Sequence, residues 1–420
     1  MQRRRVLALG AASVLAALAR PVRASQRPRV VIVGGGFAGA TCALTLRRFA
    51  PTLEVVLIEP DERYLACPVS NSVIAGVRPF AALEVSRAGL ERAGVVRVRD
   101  AALALDAQRR ELRLQRGGRI RYDRLVFAAG IRMRFDALPG YDAAAAERMP
   151  HAWKAGAQTR LLAAQVRGLR PGGRVAISVP RAPYRCPPGP YERASLIAHF
   201  LKVHNPRAKV LVFDANNRFS KQALFTEAWA ALYAGMIEWI PVTAGGAVER
   251  VDVRTHTLHT SSGAHRVDVA NVIPPQAPAS LARSVGLASD HGWCPVDPAS
   301  FESTLVPFVH VIGDACIAGA MPKSASSANS QAKHCALAII AALAGRVPPS
   351  PVLHNTCYSL IAPDYGISVS GIYRLDAGEL HDTPGGGGTS PTSASREFRA
   401  REARHAGDWY RSILADSFGT

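Results

Sequence analysis

Apolar positions along the chain fall into short β-branched runs separated by stretches of helical period, a rhythm that predicts a mixed α/β architecture with parallel strands. Arg29–Val33 reads Arg-Val-Val-Ile-Val, apolar without alternation, as a strand covered on both faces requires. A glycine-rich turn, a helical stretch Ala40–Phe49 and a second strand Glu54–Ile58 follow it. Two later runs have the same character: Arg124–Phe127, leading into Ala128-Ala129-Gly130, and Val309–Val311, leading into Gly313-Asp314. Between them the pattern recurs, with strands predicted at Arg174–Val179, Ala208–Asp214 and Glu249–Val253.

The first turn carries the most specific chemistry. Gly34, Gly36 and Gly39 form G-x-G-x-x-G between strand and helix, and Glu59 ends the next strand about twenty residues later. Gly34 permits a tight turn, Gly36 lets a pyrophosphate approach the backbone, and Gly39 lets helix and strand pack closely. The helix N-terminus then faces the phosphates and Glu59 accepts from a ribose hydroxyl. Ala129-Gly130 and Gly313-Asp314, at the ends of two further strands, favour FAD, with Asp314 suited to a ribityl hydroxyl. The fold class is therefore α/β, with two Rossmann-like dinucleotide-binding domains and a C-terminal α+β domain. The first domain is discontinuous, residues 25–145 and 285–345; the second covers 146–284 and the third 346–420.

In the second domain the strand Arg174–Val179 runs into Pro180-Arg-Ala-Pro-Tyr-Arg-Cys-Pro-Pro-Gly-Pro190. Prolines at 183, 187, 188 and 190 remove N–H donors where a nicotinamide dinucleotide would need them. This domain is expected to lack a nicotinamide site.

The chain start differs from the rest. Arg3-Arg4-Arg5-Val6-Leu7, an apolar run Ala8–Ala19 and Val22-Arg23-Ala24 before Ser25 predict a signal peptide over residues 1–24, of twin-arginine type. That route exports folded protein, which suits a chain that acquires its cofactor first, and it predicts a periplasmic location. No later apolar run reaches the ~20 residues of a membrane span, so no membrane insertion is expected. The formal net charge is +19, from 51 Lys+Arg against 32 Asp+Glu. Its arginines are scattered rather than gathered in a stripe, which argues against a nucleic-acid partner and fits an anionic substrate or an acidic partner.

Seven cysteines are too few for a disulfide scaffold. Cys67 lies in the loop Arg63–Asn71 that follows the ribose-binding strand, Cys186 in the proline loop and Cys357 in Asn355–Ser359. A bridge between the last two would close a long loop worth roughly 4–5 kcal/mol, although sequence alone leaves the pairing open. Cys42, Cys294, Cys316 and Cys335 read as buried thiols. No metal site is expected.

Several segments together carry a resemblance. Tyr184–Ser195 (Tyr-Arg-Cys-Pro-Pro-Gly-Pro-Tyr-Glu-Arg-Ala-Ser), Pro150–Gly156, Phe219–Gln222, Met236–Trp239, Gly292–Asp297, Met321–Ser324 and Asn355–Ser359 resemble the flavoprotein subunit of flavocytochrome c sulfide dehydrogenase. The resemblance implies FAD held by a thioether from Cys67 to the flavin 8α-methyl carbon, and adds Lys323 to the cofactor-binding set. It implies a redox disulfide between Cys186 and Cys357, with Glu192 as proton acceptor and hydrosulfide as substrate. It also implies a c-type cytochrome partner, since this chain has no Cys-x-x-Cys-His for haem attachment. Trp409 and Tyr410 are aromatic candidates for the flavin or partner surface. Ala66 and Pro68 depart from the family pattern, and Pro384–Thr392 is expected to be a flexible surface loop. The alternatives are a sulfide:quinone oxidoreductase-like enzyme, for which the charged tail Arg396–Thr420 offers no apolar membrane face, and a non-catalytic electron-relay subunit. An NAD(P)H-dependent reductase is disfavoured by the proline loop.

Overall fold

The structure, a computed structural model, describes residues 27–290 and 292–420; the expected leader, residues 1–24, lies outside the described residues. Its framework is a pair of parallel sheets. The first contains β1 (Arg29–Val33), β2 (Glu54–Ile58), β3 (Val96–Val98) and β4 (Arg124–Phe127), all parallel. The second contains β5 (Arg174–Val179), β6 (Lys209–Asp214), β7 (Ile237–Ile240) and β8 (Val269–Val272), in the order β7-β6-β5-β8. The chain then returns, and β9 (Val309–Val311) pairs with β4 to complete the first sheet as β9-β4-β1-β2-β3. Crossing between the domains, Ile131–Met133 pairs antiparallel with Gln276–Pro278.

Unbroken apolar runs made these strands, and burial shows why. Val30, Val31 and Ile32 are wholly buried, because both sheet faces are covered, and Leu112 and Leu114 of an antiparallel ribbon join the same core. One cover is α1 (Phe37–Phe49), which packs against the late helix Ala325–Leu343. The second sheet has its own core, built around Val175, Ile177, Val210, Val212 and the helix α2 (Gly189–His204). Next along the chain comes α3 (Gln222–Leu232); Ala325–Leu343 is α4. The C-terminal domain is an antiparallel sheet of β10 (Val352–Ala362), β11 (Tyr365–Asp376) and β12 (Glu379–Asp382), crossed by α5 (Arg396–Phe418). The end of α5 docks on the first domain: Phe418 stacks on Tyr64 at 5.2 Å and meets Phe37 edge-on at 5.4 Å. No helix among the described residues is long and apolar enough to cross a membrane.

The architecture bears out the expected fold class, with two corrections to its parts. Glu249–Val253 does not extend the parallel sheet. Val248–Asp252 is the first strand of a three-stranded antiparallel meander with Thr257–Thr260 and Gly263–Arg266, joined by turns too short for a parallel crossover. The parallel places go instead to β7 and β8. Nor is Pro384–Thr392 simply a flexible surface loop. Gly388–Thr389 pairs with β11, and the buried Ser390 hydroxyl donates to Glu402. The glycines there serve close approach, since a Cβ at Gly387 would lie 2.2 Å from the Ser370 carbonyl oxygen.

Candidate active site

A cavity of about 960 Å³ opens at the carboxyl ends of the first sheet's strands, where ligands bind in open α/β sheets. Gly34–Gly36, Glu59, Ala129-Gly130 and Gly313-Asp314 all line it, each delivered by the end of a different strand. Gly34 has φ +102°, and a Cβ there would press on the Ala128 carbonyl oxygen at 2.6 Å. Gly39 stands behind the cavity wall: its Cβ would fall 1.9 Å from the Gly34 carbonyl oxygen, so it sets how closely α1 packs on β1. Gly36 is different. A Cβ there would meet only ordinary contacts, the nearest being the Tyr64 hydroxyl at 3.6 Å, so no packing within the protein requires glycine. The first N–H groups of α1 also have no side-chain cap. Bare donors beside an open glycine suit a pyrophosphate.

The Glu59 carboxylate is fixed by the Gly35 N–H at 2.8 Å and the Asp61 N–H at 3.1 Å, with the buried Arg87 guanidinium 3.5 Å away. At the far end, burial pushes the Asp314 carboxyl up while Arg185 and Lys323 pull it down. The N-terminus of α4 also faces the cavity through Ser324–Ser326, and the Ser324 hydroxyl caps it by accepting from the Ser327 N–H at 3.0 Å.

Three sulfur groups line the same cavity. Cys67 lines the cavity from the loop after β2, Cys186 from the proline loop after β5 and Cys357 from the middle of β10. All three carry free thiols. Cys186 adopts φ +59°, and its N–H donates across the domain boundary to the Lys323 carbonyl at 2.7 Å. Burial pushes the Cys186 thiol up, and Cys357 and Glu192 add to the effect; Arg185, the neighbouring cation, opposes burial without outweighing it. Burial also raises the Cys357 thiol, against the pull of Lys221. Glu192, in the first turn of α2, reaches the same cavity. Its two oxygens accept from Asn71 Nδ2 and the Leu360 N–H, both at 2.8 Å, and burial lifts its carboxyl above the usual range.

Lys323 stands beside the large cavity rather than among its lining residues. Its ammonium turns from the large cavity to the Cys316 carbonyl at 2.8 Å and lies over the Trp293 ring at 3.9 Å. It serves the site through its backbone, as the acceptor that holds Cys186. The aromatic pair divides: Trp409 lines the cavity, whereas Tyr410 is core, its hydroxyl donating to the Ala82 carbonyl at 3.0 Å. Sequence reasoning missed the support beneath the site. Arg193, fully buried, donates to the Asn71 and Asn271 side chains and to the His151 and Ala152 carbonyls. Its place beside Glu192 in the proline–cysteine motif was the available signal. Among the described residues there is no cluster of three or more His, Cys, Asp or Glu groups placed for a metal.

This site, on this pair of dinucleotide folds, defines a flavoprotein oxidoreductase, and comparison with known proteins carries that further. The family model "Pyridine nucleotide-disulphide oxidoreductase" matches residues 28–165. Two others are narrower: "Sulfide dehydrogenase [flavocytochrome c] flavoprotein chain, central" at 159–274 and "Flavocytochrome c sulphide dehydrogenase, flavin-binding" at 349–418. The sulfide dehydrogenase [flavocytochrome c] flavoprotein chain of Chlorobaculum thiosulfatiphilum is 51% identical over 45 residues, 11% of this chain and 94% of that sequence. The mitochondrial sulfide:quinone oxidoreductase of Mus musculus is 22% identical over 315 residues, 69% of this chain and 66% of the mouse protein. The solved sulfide:quinone oxidoreductase of Aquifex aeolicus shares the fold, with a TM-score of 0.70 at 16% identity over 94% of this chain and 93% of that one. The chain belongs to the flavocytochrome c sulfide dehydrogenase flavoprotein family. Its cofactor is FAD, which the bare α1 terminus, the open side of Gly36 and the cavity fit.

Proposed function

We propose that the chain is the flavin-bearing subunit of a periplasmic sulfide dehydrogenase, which oxidises hydrosulfide through Cys186 and Cys357 and passes electrons to a c-type cytochrome. The observation that carries this reading is convergence. Two cysteines far apart in sequence, on different domains, face one cavity beside a buried glutamate, and the glycine turn lines the same cavity. FAD, when bound, supplies an acceptor that takes two electrons together and releases them singly.

The residues account for the rest. With Cys186 and Cys357 joined, hydrosulfide attacks one sulfur; a new S–S bond forms as the bridge breaks, leaving a persulfide on one cysteine and a thiolate on the other. Glu192, its carboxyl raised by burial, is placed to take the proton of the attacking hydrosulfide. A second hydrosulfide takes the sulfane sulfur as HSS−, leaving both cysteines reduced, and their re-joining gives up two electrons that bound FAD would accept; overall, two HS− yield HSS−, one proton and two electrons. Cys67 is positioned on the cavity wall as the covalent anchor for FAD. Residues 1–24 act as the export signal.

Anaerobic sulfide titration with cytochrome c as acceptor tests the scheme. Cys186→Ser should lower sulfide-dependent reduction by a factor on the order of a thousand, as loss of a group that takes part in bond making does. Retention of wild-type turnover would end the disulfide mechanism. A quinone acceptor is the second reading, favoured by the fold shared along nearly the whole chain with the Aquifex enzyme. Substituting a short-chain quinone for cytochrome c in the same assay separates the two.

A further inference from the structure

Lys221 is a buried cation whose role the scheme above leaves open. It precedes α3 in a left-handed conformation, φ +63°, which favours glycine, yet the chain keeps a long charged side chain there. The residue is 7% exposed. Its ammonium donates to the Cys357 carbonyl at 3.1 Å and the Ser359 hydroxyl at 2.8 Å, alternate residues on one face of β10. Both partners are neutral. Burying an ammonium against neutral partners is costly unless an anion forms beside it.

The acidic groups around Lys221 come from every neighbouring element: Cys357 on β10, Glu192 on α2, Cys186 on the proline loop and Glu402 on α5. Two of them have other partners. Glu402 accepts from the Ser368 and Ser390 hydroxyls, and Glu192 from Asn71 and the Leu360 N–H. Tyr373 of β11 is also within electrostatic reach of Cys357. Lys221 is the strongest influence drawing the Cys357 thiol down against burial and Glu192; at Cys186 its pull comes last, behind that of Arg185, against burial, Cys357 and Glu192.

We propose that Lys221 is a positioning residue that stabilises the anionic sulfur on Cys357 once the bridge is open, so that Cys357 ionises before Cys186. The step is a loss of the thiol proton, and no electron moves. The inference rests on the dithiol reading of the site, but its test needs no sulfide, so either can fail without the other.

The holoenzyme is reduced anaerobically, pulsed with iodoacetamide across a range of pH, and each cysteine is quantified by mass spectrometry. In the unaltered protein Cys357 should be alkylated with a lower midpoint than Cys186. Lys221→Gln keeps hydrogen-bond donors and removes the charge. It should raise the Cys357 midpoint by about one pH unit, roughly tenfold slower labelling below the midpoint, and Lys221→Arg should restore it. An unchanged Cys357 midpoint in Lys221→Gln would reduce Lys221 to a clasp between α3 and β10. Earlier ionisation of Cys186 in the unaltered protein would overturn the proposal without any variant, which keeps it decisive if Lys221→Gln does not fold.

Discussion

The two parallel sheets use the same strand–turn–helix unit to opposite ends. After β1 the chain turns through Gly34–Gly36 and enters α1 with its first N–H groups uncapped. After β5 it runs through Pro180–Pro188, and three of the N–H donors that remain are committed to protein. The Ala182 N–H goes to Asn216 Oδ1 at 3.0 Å, Arg185 N–H to Gln276 Oε1 at 2.9 Å and Cys186 N–H to the Lys323 carbonyl. The acids at the ends of the next strands diverge in the same way. Glu59 lines the cavity, whereas Asp214 is fully buried, accepting from the Tyr191 hydroxyl at 2.6 Å and Trp239 Nε1 at 2.8 Å. Phe219 stacks on Tyr191 at 3.7 Å. One turn keeps donors free for a phosphate. The other has used its donors to brace a cysteine over its neighbour's cavity, which shows how a duplicated scaffold can trade a cofactor site for a reactive loop.

The comparison breaks most severely at Gly39. A methyl group 1.9 Å from the Gly34 carbonyl oxygen cannot be accommodated unless α1 lifts from β1, and the turn moves with it. Gly39→Ala should yield protein without FAD, read as loss of flavin absorbance per chain. Stoichiometric FAD in that variant would mean that the turn does not hold the cofactor.

A milder change sharpens the contrast between the two thiol-bearing loops, one proposed to hold the flavin and one to exchange. Cys67→Ala should still bind FAD through the glycine turn, but the flavin should be released by acid precipitation, whereas in the unaltered protein it should stay with the chain. Flavin that remained attached after unfolding of Cys67→Ala would place the anchor elsewhere.

Much of this was legible from residue order. β1, β2, β4 and β9 could be read because strands covered on both faces are apolar throughout, and G-x-G-x-x-G with Glu59 joins local features whose spacing is fixed by one βαβ unit. The proline loop was equally plain, since proline removes a donor in any context. What escaped was long-range. Asn71 meets Glu192 and Arg193 from a distant loop, and Lys221 reaches Cys357 from another domain. No local pattern records such meetings. Glu249–Val253 (Glu-Arg-Val-Asp-Val) was misplaced although its charged, alternating pattern suits a half-exposed antiparallel strand better than a strand buried in a parallel sheet. Lys323 could be singled out by position, but sequence does not distinguish a side-chain contact from a backbone one.

The smallest expected effect concerns what braces the second loop from below. His151 is buried there, its Nδ1 accepting from the Trp153 N–H at 2.9 Å, and the Trp153 indole in turn donates to the Arg185 carbonyl at 3.2 Å. Burial, with Arg193, Lys154 and Arg185 nearby, lowers this imidazole from 6.5 to about 4. Between those values the unfolded chain binds the proton and the native one does not, so stability rises with pH across that window. The contribution is complete above about pH 6.5 and falls away toward pH 4, by up to about 3 kcal/mol for a shift of this size. His151→Asn keeps a side-chain acceptor without the titration. Urea unfolding at several pH values should therefore show a shallower acid slope for the variant. Parallel slopes would mean that His151 is protonated in the native state, and that the brace beneath Cys186 does not depend on a neutral ring. The first turn has no buried histidine in the equivalent place, so acid should loosen the thiol loop before it disturbs the glycine turn.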